Sequence, residues 1–311
     1  MVLYIDKENL ISLVQSKDKS TFWEYTILVK KNLDIYYNFS KEEIKGNKDL
    51  EFWFSQFGSG VGGQNHFCPP KRVVPTRPMR PDFYASKNAP DRSAIFFLSD
   101  DRACEEIGAK RCVLLSKVGN ELSTLKEVFQ LKDRGEVLNY KIKKWSDFLP
   151  QLPLSDIIIC DNYYFSTAYK KDNNEIIRTL SAIPHHTPVN VVIIIKPKEG
   201  VAPGINLEKE QEIIKRIVVA ATGCNRSTVT ILATTRVHDR ALITNYYRVK
   251  SGCGFHLNDS GIKHDVLTEV KTHAIRNNHN TTKDLLKEYQ EDITPNVKCY
   301  GDKVSNFLTF K

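Results

Sequence analysis

Residues 237–255, which read VHDRALITNYYRVKSGCGF, place an imidazole and a cation two positions apart, a short distance before a glycine. On an extended strand His238 and Arg240 would face the same side, because side chains alternate between the two faces. An imidazole can attack phosphorus or transfer a proton, and a guanidinium can hold two phosphate oxygens at once. The two side chains could therefore meet one phosphate group.

The spacing in this stretch resembles the signature of the phospholipase D superfamily, which is His-x-Lys, four residues, Asp, six residues and then Gly-Ser-x-Asn. His238 and the first glycine are kept, and four positions differ from the family: Arg240, Asn245, Cys253 and Phe255. The tripeptide at 238–240 is also similar to that of the phospholipase-D-like domain that follows MIT domains in a eukaryotic protein, a domain regarded as non-catalytic. The resemblance covers about residues 150–311.

The resemblance implies a chemistry that needs neither a metal nor a cofactor. In active members one His attacks phosphorus, a second His protonates the leaving oxygen, and the Lys neutralises charge on the phosphoryl oxygens. Here His238 would be the nucleophile, with Arg240 and Asn245 completing the catalytic set. The predicted phosphate-binding residues are His238, Arg240, Lys250, Gly252 and Cys253.

The departures from the family pattern favour binding over catalysis. Arg240 keeps a positive charge and gains a planar fork for phosphate, whereas Asn245 lacks the carboxylate of the family and Cys253 lacks the hydroxyl. The chain carries one motif where an active site needs two, so an enzyme would have to be a homodimer. A structural histidine at 238, hydrogen-bonded to Asp239 or to the backbone, is an equally open interpretation.

Two further groups of residues are candidate nucleic-acid contacts. The segment 58–93 is rich in prolines and cations and cannot form a regular helix, so we predict a long loop or arm. Its cations, together with the aromatic and basic residues at 246–248, form the predicted set: Lys71, Arg72, Arg77, Arg80, Tyr246, Tyr247 and Arg248. Tyrosines can stack on bases. The alternatives are a solvated surface loop for the arm and ordinary strand packing for 246–248. Other cations in or after the motif add positive charge: Lys250, Lys263, Lys271, Arg276 and Lys283.

Composition limits the partners. The net charge of +8 and the sequence pI of about 9.0 favour a polyanion. Seven cysteines without a close pair predict free thiols and no metal site, and the weaker metal candidates are 185–186 (His-His) and 100–101 (Asp-Asp). The charged N-terminal segment and the short apolar runs predict neither a signal peptide nor a membrane span, so we expect a cytoplasmic protein.

Apolar runs predict an α/β protein with two domains. Residues 1–148 would form an α/β domain of unknown role, and 149–311 would form the phospholipase-D-like domain. In the latter, strands at 155–165, 188–196, 228–232 and 237–245 alternate with helices at 173–183 and 207–221. This order predicts a mixed sheet with helices on both faces.

We therefore expect a phosphodiester-binding protein that binds nucleic acid, DNA or RNA, with weak or no catalysis, in a bacterial accessory or defence system. Two alternatives remain. One is an active, metal-independent nuclease that works as a homodimer, and the other is a non-catalytic module for anionic lipids or a protein partner.

Overall fold

Two sheets organise the described part of the chain, one in each of two compact units, residues 1–130 and 131–311. The computed structural model describes residues 2–5, 7–32, 34–37, 39–56, 94–97, 113–114, 122–123, 126–128, 130–131, 134–138, 145–152, 154, 156–166, 174–182, 189–197, 200–234, 240–252, 255, 268–274, 279–292 and 297–302. The predicted α/β class is confirmed.

The first unit is built on a parallel sheet of order β2-β1-β3-β4. Its described elements are β1 (Val2–Ile5), α1 (Lys7–Gln15), α2 (Lys19–Asn32), β2 (Asp34–Tyr37), α3 (Lys41–Lys45), α4 (Lys48–Ser55), β3 (Ala94–Phe97) and β4 (Val113–Leu114). Leu10, Phe22 and Trp53 are almost fully buried among the helices. The start of α3 is fixed by a capping box, in which Ser40 and Glu43 each accept a backbone N–H of the other.

The second unit carries an eight-stranded mixed sheet of order β12-β8-β7-β6-β9-β10-β11-β5. Its described elements are β5 (Arg134–Leu138), a 3₁₀ turn (Trp145–Asp147), β6 (Asp156–Cys160), α5 (Glu175–Leu180), β7 (Asn190–Ile195), α6 (Leu207–Thr222), β8 (Thr228–Ala233), β9 (Ala241–Thr244), β10 (Tyr247–Ser251), β11 (Thr268–Ala274), α7 (His279–Asp292) and β12 (Lys298–Gly301). The strands β6, β7 and β8 are parallel, and the others pair antiparallel on either side.

The boundary between the units falls earlier than the predicted residue 148. The strand β5 pairs antiparallel with β11, so residues 134–138 belong to the second sheet. The division consequently lies after Gln130.

Both faces of the central strands are buried. Ile158 packs on one face with Leu286 and Tyr289 of α7. Its neighbours Ile157 and Ile159 point to the other face and are equally buried, at 0% exposure. The helices α5 and α6, which connect the parallel strands and contact each other, cover that face. Each such buried aliphatic side chain contributes roughly 1.5–3 kcal/mol.

The longest of these connecting helices, α6, has clear ends. Asn206 caps its first turn by accepting the N–H groups of Glu208 and Lys209. Gly223 ends it in the left-handed region, with φ of 70°. None of the helices described by the structure combines the length and apolarity that a membrane crossing requires.

Two loops are joined where the parallel strands β6 and β7 end. The Lys196 N–H donates to the Asn162 carbonyl at 3.4 Å, and the Phe165 N–H donates to the Gly200 carbonyl at 3.2 Å. A Cβ at Gly200 would overlap the backbone oxygens of Asn162 and Lys196. This close approach of two backbones requires glycine.

Replacing Gly200 with alanine should therefore destabilise the second unit by roughly 1–3 kcal/mol, because backbone atoms have to move. Gly204→Ala is the matched control: its Cβ would meet open space, and only its φ of +86° opposes a side chain. Urea unfolding followed by circular dichroism measures both variants. Gly204→Ala reports the cost of a left-handed backbone alone, and a loss at Gly200 below about 1 kcal/mol would contradict the close packing of the two loops.

Candidate functional site

A cavity of about 570 Å³ lies between the β9–β11 edge of the sheet and α7. Its walls combine cations from the strands with hydroxyl and carboxylate groups from the helix. It is lined by Arg240, Ala241, Arg248, Lys250, Ser251, Gly252, Lys271, Thr281, Asp284, Leu285 and Glu288. Three residues of the predicted phosphate-binding set, Arg240, Lys250 and Gly252, thus line one cavity.

The guanidinium of Arg240 connects three segments at this edge of the sheet. Its Nη1 donates to the Gly252 carbonyl at 2.7 Å. Its Nε lies 3.8 Å from the Oδ1 of Asp161, a carboxylate with 0% exposure, and its Cζ lies 5.4 Å from the centroid of the Tyr163 ring. Asp161 is itself held in place because its Oδ1 accepts the Tyr163 N–H at 3.0 Å. Arg240 therefore positions the rim of the cavity as well as lining it.

The aromatic residue next to this cluster stays neutral. Burial raises the pKa of the Tyr164 hydroxyl, and the Asp161 and Glu210 carboxylates raise it further. Tyr164 consequently adds no negative charge beside Arg240.

The strand register explains why the cations converge. Lys250 of β10 and Lys271 of β11 are direct partners across the antiparallel pair, and Arg248 is the partner of His273. Arg248 and Lys250 lie two residues apart and share a face of the sheet. All three of these cations line the cavity; Lys250 and Lys271 are exposed, and Arg248 is only 4% exposed. The two lysines therefore lie side by side on one wall of the cavity.

The helix α7 contributes the residues that sequence analysis did not assign to the site. Thr281, Asp284, Leu285 and Glu288 recur at the spacing of one helix face, and all four line the cavity. The amphipathic periodicity of 279–292 was the available signal. Lys271 was noted only as a downstream cation, and its place opposite Lys250 depends on the pairing of β10 with β11.

Asn245, the third member of the predicted catalytic set, is not at the cavity. It lies in the turn between β9 and β10, at the end of β9 opposite to Arg240, and is 1% exposed. Thr244 closes this turn by accepting the N–H groups of Tyr246 and Tyr247. The structure thus separates Asn245 from Arg240 by the length of β9.

The predicted strand at 237–245 is shorter in the structure, where β9 begins at Ala241. Arg240 precedes the strand, so the shared face inferred for His238 and Arg240 does not follow from β9.

His238 and Cys253 lie outside the described residues, as do the arm cations Lys71, Arg72, Arg77 and Arg80. The weaker metal candidates at 100–101 and 185–186 also lie outside them.

The predicted stacking role of Tyr246 and Tyr247 needs correction. Their exposures are 3% and 0%, which leaves no ring face for a base. Tyr246 is buried in the turn between β9 and β10, and Tyr247 is buried at the start of β10. Burial raises the pKa of the Tyr247 hydroxyl, which donates to the Pro150 carbonyl at 3.4 Å. Among the residues described, no three His, Cys, Asp or Glu side chains are grouped so that they could hold a metal ion.

Replacing Arg240 with alanine should destabilise the second unit by roughly 1–3 kcal/mol, because the Gly252 carbonyl loses its donor and buried Asp161 loses a nearby positive charge. Arg216→Ala is the matched control, since the Arg216 Nε bonds the Glu212 carbonyl one turn earlier in α6. We expect the control to change stability by less than about 0.5 kcal/mol. Thermal unfolding measures both, and equal effects would show that Arg240 does not hold the rim.

Comparison with known proteins gives weak structural similarities. No protein-family model matches the chain, and no curated protein matches it. Polyphosphate kinase from Porphyromonas gingivalis is 13% identical, with a TM-score of 0.32 over 55% of this chain and 26% of the kinase. TrmBL2, an archaeal chromatin protein, is 14% identical, with a TM-score of 0.29 over 96% of this chain and 100% of that protein. The chain thus spans about a quarter of the length of the kinase, and both TM-scores are too low to assign a shared fold.

Proposed function

We propose that this protein binds a phosphate-bearing polymer, specifically nucleic acid, through the cavity beside β10 and β11, with weak or no catalysis. The observation that carries the proposal is the convergence of four cations on one cavity: Arg240, Arg248, Lys250 and Lys271. Phosphates attract such a cluster because their contacts release condensed counterions. The net charge of +8 adds a long-range attraction for polyanions.

The lysine pair supports this proposal. Lys250 and Lys271 face each other by register and both line the cavity. Each ammonium group is a hydrogen-bond donor, so the two side chains can donate to one phosphate.

The position of Asn245 supports weak or absent catalysis. It replaces the family carboxylate and lies at the opposite end of β9 from Arg240. Arg240 in turn bonds the Gly252 carbonyl and lies close to Asp161, which leaves its guanidinium partly committed within the protein. We further propose, from the spacing of residues 238–255, that the second unit is a degenerate phospholipase-D-like domain.

Replacing Lys250 or Lys271 with glutamine should weaken binding of labelled single-stranded DNA and RNA. Each change should also lower the slope of log affinity against log salt by about 0.7, the value for one phosphate contact on a single strand. Lys298→Gln is the matched control, an exposed lysine on β12 at the other edge of the sheet. Fluorescence anisotropy at several salt concentrations measures the three variants. Equal losses for Lys298 and Lys250 would contradict a site at the cavity.

Incubation of the same nucleic acids with the protein in EDTA should give no cleavage. Cleavage that the His238→Ala variant abolishes would establish the nuclease alternative in place of binding alone. A failure to bind any nucleic acid, combined with retention on anionic liposomes, would instead favour the lipid module.

A further inference from the structure

The cavity has walls of opposite charge. The sheet supplies Arg248, Lys250 and Lys271, and the facing helix α7 supplies Asp284 and Glu288. The two carboxylates are four residues apart on one face of the helix, and both are exposed. A ligand that fills this space therefore meets cations on one side and hydrogen-bond acceptors on the other.

The size of the cavity limits what can enter it. A volume of about 570 Å³ falls within the roughly 300–1,000 Å³ typical of small-molecule sites. This volume suits one nucleotide unit better than a DNA duplex, whose major groove alone is roughly 12 Å wide.

The carboxylates select against a ligand made only of phosphates. Asp284 and Glu288 repel phosphate oxygens, whereas ionised carboxylates accept strong hydrogen bonds from hydroxyl groups. An acidic residue that accepts a ribose 2′-hydroxyl is a common means of recognising nucleotides. The 2′-hydroxyl is also the group by which proteins distinguish RNA from DNA.

We infer that the cavity binds a single ribonucleotide unit, with its 5′-phosphate on Arg248, Lys250 and Lys271 and its ribose hydroxyls on Asp284 and Glu288. This inference rests on the proposed function, because both use the same cations for phosphate. The shared chemistry is a 5′-phosphate joined to a ribose 2′,3′-diol, as in a free ribonucleotide or at the 3′ end of an RNA strand.

Isothermal titration calorimetry of the full chain with adenosine 5′-monophosphate, its 2′-deoxy analogue and inorganic phosphate tests the inference. We expect the ribonucleotide to bind roughly 10- to 100-fold more tightly than the deoxynucleotide, the effect of one hydrogen bond to a charged group. Equal affinities for the two nucleotides would overturn the inference.

A matched pair of variants on α7 separates hydroxyl recognition from simple charge balance. Glu288→Gln should reduce the preference for ribose by at least about threefold and leave the affinity for inorganic phosphate unchanged or tighter. Glu291→Gln, an exposed position one turn further along that does not line the cavity, should change neither. If Glu288→Gln tightens the ribonucleotide and inorganic phosphate equally, the carboxylate only balances charge and the inference is wrong.

Failure of the inference can be told apart from failure of the proposed function. If inorganic phosphate and single strands bind and Lys250→Gln weakens both, the cationic wall is established even when ribose makes no difference. If no anion binds, both proposals fail together.

Competition distinguishes the two sources of the ligand. An RNA oligonucleotide with a free 2′,3′-diol should displace adenosine 5′-monophosphate if the natural ligand is a strand end, and a 3′-phosphorylated oligonucleotide should not. Displacement by neither oligonucleotide would assign the site to free ribonucleotides.

Discussion

The contact between Arg240 and the buried carboxylate of Asp161 is the interaction on which the edge of the second sheet depends. A carboxylate with no exposure is costly unless a positive charge or hydrogen bonds oppose it. Arg240 supplies part of that opposition and at the same time holds the carbonyl of Gly252 at the end of β10. The loop after β6 and Gly252, the residue that follows β10, are thereby connected through Arg240. The cavity opens beside this connection.

The central strands of this sheet could be predicted because both of their faces are buried. A strand with two buried faces is a nearly continuous apolar run, and the runs at 155–165 and 188–196 became β6 and β7. The end of a strand is harder to predict. The predicted strand at 237–245 starts before Ala241, the residue at which β9 begins. A polar residue such as Arg240 can be the first residue of a strand or the last residue of the loop before it, and the local sequence pattern is the same in both cases. The predicted domain boundary lies later than the observed one because β5 pairs with β11, from Leu138 with Thr268 to Arg134 with Thr272, and local composition does not encode such distant pairing.

The site was predictable only as far as it is local in sequence. Arg240, Lys250 and Gly252 fall within one short stretch, and the structure brings them to one cavity. Lys271, Asp284 and Glu288 reach it through strand register and helix docking, which depend on contacts far apart in the chain. Tyr246 and Tyr247 were assigned to the site from the local sequence, although the structure buries them. Aromatic residues beside cations are typical of nucleic-acid surfaces, but both rings here are buried, Tyr246 in the turn before β10 and Tyr247 on the strand.

The pairing of β10 with β11 ties the two lysines of the cavity to a backbone register. Lys250 and Lys271 are direct partners in that register. A slip of either strand by one residue would turn its side chains to the opposite face of the sheet. The charge pattern of the cavity is therefore set by the same backbone hydrogen bonds that hold the sheet together.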